Sequence, residues 1–284
     1  MDIFADLQAR GFDRVMALDG AECGEPECPT IVLAFRFYRA EDAALSGAWI
    51  HPYYFASQQA YEAAADIAGR HGADGVTLRD DIRLKPIFAR LPGLTQGRST
   101  LSYLPDAGSR FHVQTLTLTR RIPPTHHLLT ESQPLHCGDC HRCEAACPTG
   151  ALDGGAFHRE RCLRNWQMSG KPVPEGLRAK MGTMLIGCDL CQRACPHNAP
   201  PATAQPMGQP LAPLLTEPKA SALALRPRIG VNLTLPNRVL GQSCLLAGCS
   251  GDMTLLPALE KLSTHPSPVV AEHAAWAASE LKKV

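Results

Sequence analysis

The chain has 284 residues, of which 45% are hydrophobic, and this is enough for one large or two smaller domains with an apolar core. Its 28 basic and 27 acidic residues give a net charge of +1, so no charge excess points to nucleic acid or to a membrane surface. No apolar run approaches the length of a membrane span, and residues 1–4 show no start of a secretion signal. We therefore expect a soluble, cytoplasmic protein with reduced thiols and no membrane partner.

The first 129 residues predict an α+β arrangement of strands with a covering helix. A short amphipathic helix is expected within residues 1–20, and a second helix over residues 58–71 with Ser57 as its cap. Residues 30–37, 76–78 and 111–119 are rich in β-branched and aromatic side chains, which predicts strands.

Residues 130–200 contain eight cysteines in the spacing that iron–sulfur clusters use. The first four follow the pattern C-x2-C-x2-C-x3-C-P, a lone cysteine comes next, and the last three follow C-x2-C-x3-C-P. In such runs a tight loop supplies three thiolates to one cubane, and the cysteine before the proline ligates the other cluster. The spacing therefore predicts two 4Fe-4S clusters: cluster A on Cys137, Cys140, Cys143 and Cys195, and cluster B on Cys147, Cys162, Cys188 and Cys191.

The alternatives for these thiols are structural zinc and disulfides. Zinc sites use pairs of C-x2-C knuckles that are well separated in sequence, and disulfides do not fit a reducing compartment. Seven basic residues surround the cysteines, and they either compensate the negative charge of the clusters or bind a polyanion: Arg142, Arg159, Arg161, Arg164, Arg178, Lys180 and Arg193.

Beyond the cysteine block the chain becomes rich in proline and then helical. We expect a proline-rich linker over residues 201–237 and a tail of helix, turn, helix, turn, helix over residues 238–284. Cys244 and Cys249 in this tail are predicted to be buried small hydrophobes, whereas the role of Cys23 and Cys28 stays open.

The cysteine block from Cys137 to Asn198 resembles the epoxyqueuosine reductase family and its double 4Fe-4S cluster relatives, including the lone Cys162. The tail N-R-V-L-G-Q-S-C-L-L-A-G-C-S-G-D is similar to the same family. The resemblance implies three parts joined by the linker: an α/β domain over residues 1–129 that binds a substrate or cobalamin, a ferredoxin-like double-cluster domain over residues 130–200, and a HEAT-like tail over residues 238–284. It also implies reductive removal of an epoxide oxygen from a modified tRNA base.

The resemblance also suggests site residues in the first domain. Where the family has a glycine-rich motif near the corrin, this chain has residues 93–100, and we take four residues there and nearby as candidate cofactor contacts: Gly93, Gly97, Arg98 and Lys85. The family's proton-donating aspartate has no exact counterpart, so the candidate catalytic residues are the nearest acids and a neighbouring tyrosine: Asp80, Asp81 and Tyr103. The alternatives are an ordinary tight turn and solvated side chains.

These observations favour an iron–sulfur oxidoreductase in which two clusters pass electrons to cobalamin or directly to a substrate. We expect a reduced ferredoxin or flavodoxin as the electron donor, and a small molecule or a modified base as the substrate. A tRNA partner gains little support from a net charge of +1. The alternative function is a ferredoxin-like electron carrier without a catalytic site of its own.

Overall fold

A computed structural model describes residues 2–38, 47–91, 93–105, 107–125, 137–198 and 208–283. Its mixture of helices and strands agrees with the predicted class. The chain divides into two compact units, each made of several segments: residues 1–39, 55–141 and 195–200, and residues 40–54, 142–194 and 201–284. This division differs from the four consecutive ranges predicted from the sequence. Within the described residues, no helix has the length and apolar character that spanning a membrane requires.

The first unit is built on a four-stranded antiparallel sheet. The strands lie in the spatial order Arg14–Asp19, Thr30–Phe37, Phe111–Leu118 and Val76–Arg79. The three predicted strands are thus confirmed. Because every pairing is antiparallel, this region belongs to the α+β class and contains no parallel β-α-β unit in its main sheet.

The N-terminal helix is shorter than predicted, because residues 14–19 form a strand. The helix spans Ile3–Ala9 and begins at Asp2, whose carboxylate accepts hydrogen bonds from the N–H groups of Phe4 and Ala5. Gly11 then adopts a φ of +85°, which redirects the chain into the strand. The spacing of the apolar residues in this short segment fitted both a helix and a strand.

Both faces of the sheet are buried. On one face Val32 and Ala34 pack against Ala60, Ala64 and Ile67 of the helix Pro52–Arg70. On the other face, Ile31, Leu33 and Phe35 of the sheet pack against apolar side chains from residues 82–104. These side chains are Ile82, Ile87, Phe88, Leu91, Leu94 and Leu104. Burial on both sides explains why residues 30–35 read as a continuous apolar run.

The helix Pro52–Arg70 begins six residues earlier than the predicted helix at residue 58. Proline fits the first helical position, where its missing N–H is not needed, so residues 52–57 join the helix and Ser57 is not its cap. The remaining elements of this unit are short: a 3-10 turn Gly72–Asp74, a helix Leu84–Phe88, and the paired strands Thr95–Gln96 and Ser102–Tyr103.

The second unit contains a small sheet in which Ala48–Ile50 pairs with Met184–Ile186 and with Gly208–Gln209. The cysteine-rich segment adds a hairpin of Leu152–Asp153 and Ala156–Phe157. Short helical elements fill the rest of it: Arg142–Ala145, the 3-10 turn Arg159–Arg161, Leu163–Ser169, Glu175–Arg178, the 3-10 turn Ala179–Met181, and Leu190–Arg193.

The C-terminal helices confirm the predicted order of three helices and two turns. They span Pro236–Ser250, Leu256–Leu262, preceded by a 3-10 turn Met253–Leu255, and Pro268–Leu281. The first and third of these pack closely, since a Cβ at Gly248 would lie 2.7 Å from the Cα of Ala277.

The range predicted as a proline-rich linker is partly helical, which corrects the prediction for residues 201–237. It contains the helices Leu211–Thr216 and Pro218–Ile229. Pro218 occupies the first turn of its helix, where a proline removes no intrahelical hydrogen bond. Leu214, Leu215, Ala222 and Leu225 are buried, so packing stabilises these helices.

Candidate metal centre

Four thiols of the second unit lie close together. Cys147 follows the helix Arg142–Ala145, Cys162 precedes the helix Leu163–Ser169, Cys188 follows the strand Met184–Ile186, and Cys191 lies in the helix Leu190–Arg193. Negative charge on Cys162 and Cys147 helps to raise the pKa of Cys188. The pKa of Cys191 is raised in the same way by four neighbouring thiols, those of Cys188, Cys162, Cys143 and Cys147. Four separate elements therefore bring these side chains within electrostatic reach of one another.

The electrostatics of this group fit a bound cationic centre. Burial, followed by the negative charge of neighbouring groups, raises the pKa of Cys188 and of Cys191 to about 12. Burial also acts on Cys147, but hydrogen bonds from Thr149 and from the N–H of Ala151 bring the pKa of Cys147 below its usual value. Several buried thiolates repel one another, and iron that coordinates them removes this penalty and keeps them deprotonated.

Among the residues that the structure describes, three potential ligand atoms lie within 4.8 Å of one another at Glu25, Glu27 and Cys28, outside the cysteine block. Acidic groups of this kind are common without a bound ion.

Three more cysteines of the block, Cys137, Cys140 and Cys195, belong to the first unit. The N–H of Cys140 donates to the carbonyl of Cys137 at 2.8 Å, which closes the tight ligand loop. The backbone N–H of Arg98 donates to the Sγ of Cys137 at 3.3 Å, and the Arg98 guanidinium donates to the carbonyl of Gly138 at 3.1 Å. Burial, followed by the sulfur of Cys195, raises the pKa of Tyr103, so these two side chains lie within electrostatic reach of each other.

One of the predicted cofactor contacts lies beside a cysteine loop. Arg98 contacts Cys137, and the ring of Tyr103 covers Gly97. Lys85 is exposed, and its Nζ lies 3.5 Å from the carbonyl oxygen of Thr100. Gly93 has a φ of +80° in a tight turn that a hydrogen bond from Leu94 to Leu91 closes. Contact of these four residues with a further cofactor stays a prediction.

The candidate acids differ in their surroundings. Arg79 donates two hydrogen bonds of 2.7 Å to the carboxylate of Asp81, and these lower the pKa of Asp81 to about 2. A carboxylate with this pKa carries no proton to donate at neutral pH, which argues against Asp81 as the catalytic acid. Asp80 is exposed at the surface of its unit. Burial raises the pKa of Tyr103, so its hydroxyl keeps its proton.

Residues 49–54 of the second unit also lie against the cysteine segment. His51 and Gln192 share a hydrogen bond of 2.8 Å, and the guanidinium of Arg193 lies 4.8 Å from the centre of the Trp49 ring. A Cβ at Gly187 would lie 2.5 Å from the Cβ of His51, so glycine permits this close approach just before Cys188. The sequence did not single out Gln192, because a lone glutamine carries no motif.

Several of the surrounding basic residues have protein partners. Arg178 donates to the carbonyl of Val173 and pairs with Glu272. Arg193 pairs with Asp189, and Arg159 donates to the side chain of Asn165 at 2.8 Å. These contacts support a structural role for the three arginines over a polyanion site.

The cysteines outside the block have separate environments. Cys244 is fully buried, as predicted, and burial raises its pKa. Cys249 is exposed, so its predicted burial is wrong, because it lies at the end of its helix beside Gly251. Cys28 is buried, and the Arg79 guanidinium donates to its sulfur at 3.4 Å.

Comparisons with known proteins point to one family. Residues 136–198 match the 4Fe-4S double cluster binding domain. Over 206 residues the chain is 33% identical to an epoxyqueuosine reductase from Alicycliphilus denitrificans, and over 159 residues it is 30% identical to one from Bacillus subtilis. These alignments cover 65% and 51% of this chain, but 55% and 40% of the relatives, so the chain spans about half the length of the curated relatives it matches.

Solved structures show the same fold. A crystal structure of epoxyqueuosine reductase with an epoxyqueuosine-modified tRNA-Tyr stem loop matches with a TM-score of 0.76 at 20% identity, covering 98% of this chain and 89% of that one. The enzyme from Streptococcus thermophilus gives 0.75 at 20% identity, covering 99% of this chain and 90% of that one. The chain thus contains a double 4Fe-4S cluster domain, and in sequence and fold it resembles the epoxyqueuosine reductases.

Proposed function

We propose that this chain is an iron–sulfur reductase that removes the epoxide oxygen from a modified tRNA base. The observation that carries the proposal is the set of eight cysteines within a matched double-cluster domain, on a chain whose fold follows epoxyqueuosine reductases over nearly its whole length. A ferredoxin-like carrier would need little beyond the ligand loops, whereas this chain adds a complete α+β sheet with two buried faces.

For the clusters we propose the ligand sets that the spacing predicts. Cluster A is held by Cys137, Cys140, Cys143 and Cys195, and cluster B by Cys147, Cys162, Cys188 and Cys191. Negative charge on Cys162 and Cys147 acts on both Cys188 and Cys191, which supports this grouping, while Cys143 of cluster A also acts on Cys191. Arg98 contacts Cys137, and Cys195 acts on the pKa of Tyr103 five positions later, which supports placing these two distant cysteines on one cluster.

Removal of an epoxide oxygen as water consumes a pair of electrons and a pair of protons. The bound clusters supply single-electron transfer, and we propose reduced ferredoxin or flavodoxin as the donor, with cobalamin as a second cofactor in the N-terminal region. Of the predicted acids, we keep Asp80 as the candidate proton donor, since Asp81 is paired with Arg79. We also propose that the C-terminal helices form a HEAT-like pair that binds the tRNA.

The test is turnover of an epoxyqueuosine-containing tRNA stem loop by the cluster-loaded protein, with and without added cobalamin. We expect the product to lose the mass of one oxygen when reduced flavodoxin is present. Fully loaded protein that accepts electrons but leaves the stem loop unchanged under both conditions would favour the electron carrier instead.

A further inference from the structure

We infer that the ion pair of Asp189 and Arg193, held in place by the ring of Trp49, sets the reduction potential of cluster B. The inference rests on the proposed assignment of Cys188 and Cys191 to that cluster, and all of these residues belong to the second unit. It gives Arg193, which the sequence offered only as one of several basic residues, a definite role toward the iron–sulfur centre.

The chain itself places the pair beside two of the ligands. Asp189 directly follows Cys188, and Arg193 comes two positions after Cys191, at the end of the helix Leu190–Arg193. The backbone N–H of Arg193 donates to the carbonyl of Asp189 at 2.8 Å. Because the two residues are four positions apart across this helical turn, their side chains lie on the same side of it.

The charge of Asp189 is balanced by Arg193. The Asp189 side chain is only 2% exposed, whereas that of Arg193 is 29% exposed. The Nε of Arg193 donates to Oδ2 of Asp189 at 2.8 Å, while the buried Oδ1 accepts no hydrogen bond from the described residues. Removal of the guanidinium would therefore leave a carboxylate that water screens poorly and that stands next to Cys188.

The ring of Trp49 fixes where the guanidinium lies. Trp49 is fully buried, and the central carbon of the Arg193 guanidinium lies 4.8 Å from the centre of its ring, within the range of a cation–π interaction. The strand Ala48–Ile50, which contains Trp49, pairs with Met184–Ile186, the strand that leads to Cys188. The arginine therefore cannot turn toward solvent without losing this contact.

Fixed charges beside an iron–sulfur cluster shift its potential, because reduction adds an electron to a centre that is already negative. A carboxylate opposes that electron, and a guanidinium favours it. Low exposure makes both effects larger than they would be at the surface. In the intact pair the two effects partly cancel, so removal of either charge should shift the potential in the direction that the remaining charge dictates.

The experiment is a potentiometric titration of the cluster-loaded protein, followed by electron paramagnetic resonance. The signal of cluster B is identified as the one lost in Cys162→Ala. At the wild-type midpoint we expect the ratio of reduced to oxidised cluster B to rise about tenfold in Asp189→Asn and to fall about tenfold in Arg193→Gln, and each change corresponds to about 59 mV for a one-electron couple. The double variant should return toward the wild-type midpoint.

The matched control is another ion pair of the same unit, Glu260 with Lys282, whose side chains are 52% and 56% exposed. Water and salt screen these two charges, so Glu260→Gln and Lys282→Gln should leave the midpoint of cluster B unchanged. Arg193→Lys keeps the positive charge but loses the planar guanidinium over Trp49. Its midpoint should therefore lie between those of wild type and Arg193→Gln.

Unchanged midpoints in Asp189→Asn and Arg193→Gln, with iron content equal to wild type, overturn the inference and leave the proposed function intact. Shifts of both variants in the same direction also overturn it, because lost packing would then explain them better than charge. Absence of any cluster signal from wild type overturns both proposals. Should one of the two variants lose its iron, the sign of the shift in the other still decides the inference.

Discussion

The ring of Tyr103 covers the α-carbon of Gly97 so closely that a Cβ at position 97 would lie 2.5 Å from the ring's Cε2. From the sequence, Gly97 was a candidate cofactor contact. In the described chain the group against Gly97 is a side chain of the protein itself. The requirement for glycine is real, and its reason is the close packing of the Tyr103 ring.

Substitution of Gly97 should therefore disturb cluster A. Gly97→Ala places a methyl group against the Tyr103 ring, so the ring must move, or the turn that presents the N–H of Arg98 to Cys137 must shift. We expect slower cluster A reconstitution and an altered cluster A resonance signal, with cluster B unchanged. Gly69→Ala is the matched control, since a Cβ there meets no atom within 4 Å. A normal cluster A signal in Gly97→Ala would contradict this account.

Removal of Cys162 should damage one cluster and spare the other. We propose Cys162 as a ligand of cluster B, so Cys162→Ala should lower iron from about eight to about four per chain. Cys244→Ala is the control, because Cys244 is buried in the helical tail. Selective loss of the cluster A signal in Cys162→Ala would show that the proposed grouping is wrong.

His273 should make the stability of the protein depend on pH. Its Nδ1 lies 2.9 Å from the carbonyl oxygen of Gly241, and its Nε2 accepts from the N–H of Val173 at 2.9 Å, which requires the neutral ring. Burial lowers the pKa of His273 from 6.5 to about 4. Between these values the unfolded chain binds a proton that the folded chain does not, so stability falls as pH drops from 6.5 toward 4.

The size of this effect is at most about 3.5 kcal/mol, at about 1.4 kcal/mol for each pKa unit. It is measured as the difference in the free energy of unfolding between wild type and His273→Gln across that pH range, so that other titrating groups cancel. A wild-type curve parallel to that of the variant would show that His273 does not contribute.

Asp81→Asn should leave reduction of the stem loop within about twofold of wild type, because Asp81 is already ionised and paired with Arg79. Steady-state rates at neutral pH measure this. A hundredfold loss in Asp81→Asn alone, with Asp80→Asn unaffected, would return the acid role to Asp81.

The sequence predicted what depends on local pattern. The strands at residues 30–37 and 111–118 were readable because their β-branched runs are long, and the tail helices because glycine and proline separate them. Residues 14–19 were wrongly assigned to a helix, because the apolar residues in a run of six fit the period of a helix as well as that of a strand. The helices at 211–229 were missed because proline density hid the fact that Pro218 stands at a helix start.

The same distinction between local pattern and long-range contact applies to the candidate site. The cysteine spacing alone indicated the metal chemistry, which the double-cluster match supports. The contact of Arg98 with Cys137 joins residues 39 positions apart, and no local pattern encodes such a pair. Only the folded chain brings these residues together.

The central claim is that the eight cysteines of the block hold two 4Fe-4S clusters, and the most direct test is iron, acid-labile sulfide and zinc analysis of protein purified without oxygen. We expect iron and sulfide each at about eight per chain, with zinc absent. Values near four, or zinc bound in stoichiometric amount, would contradict the claim.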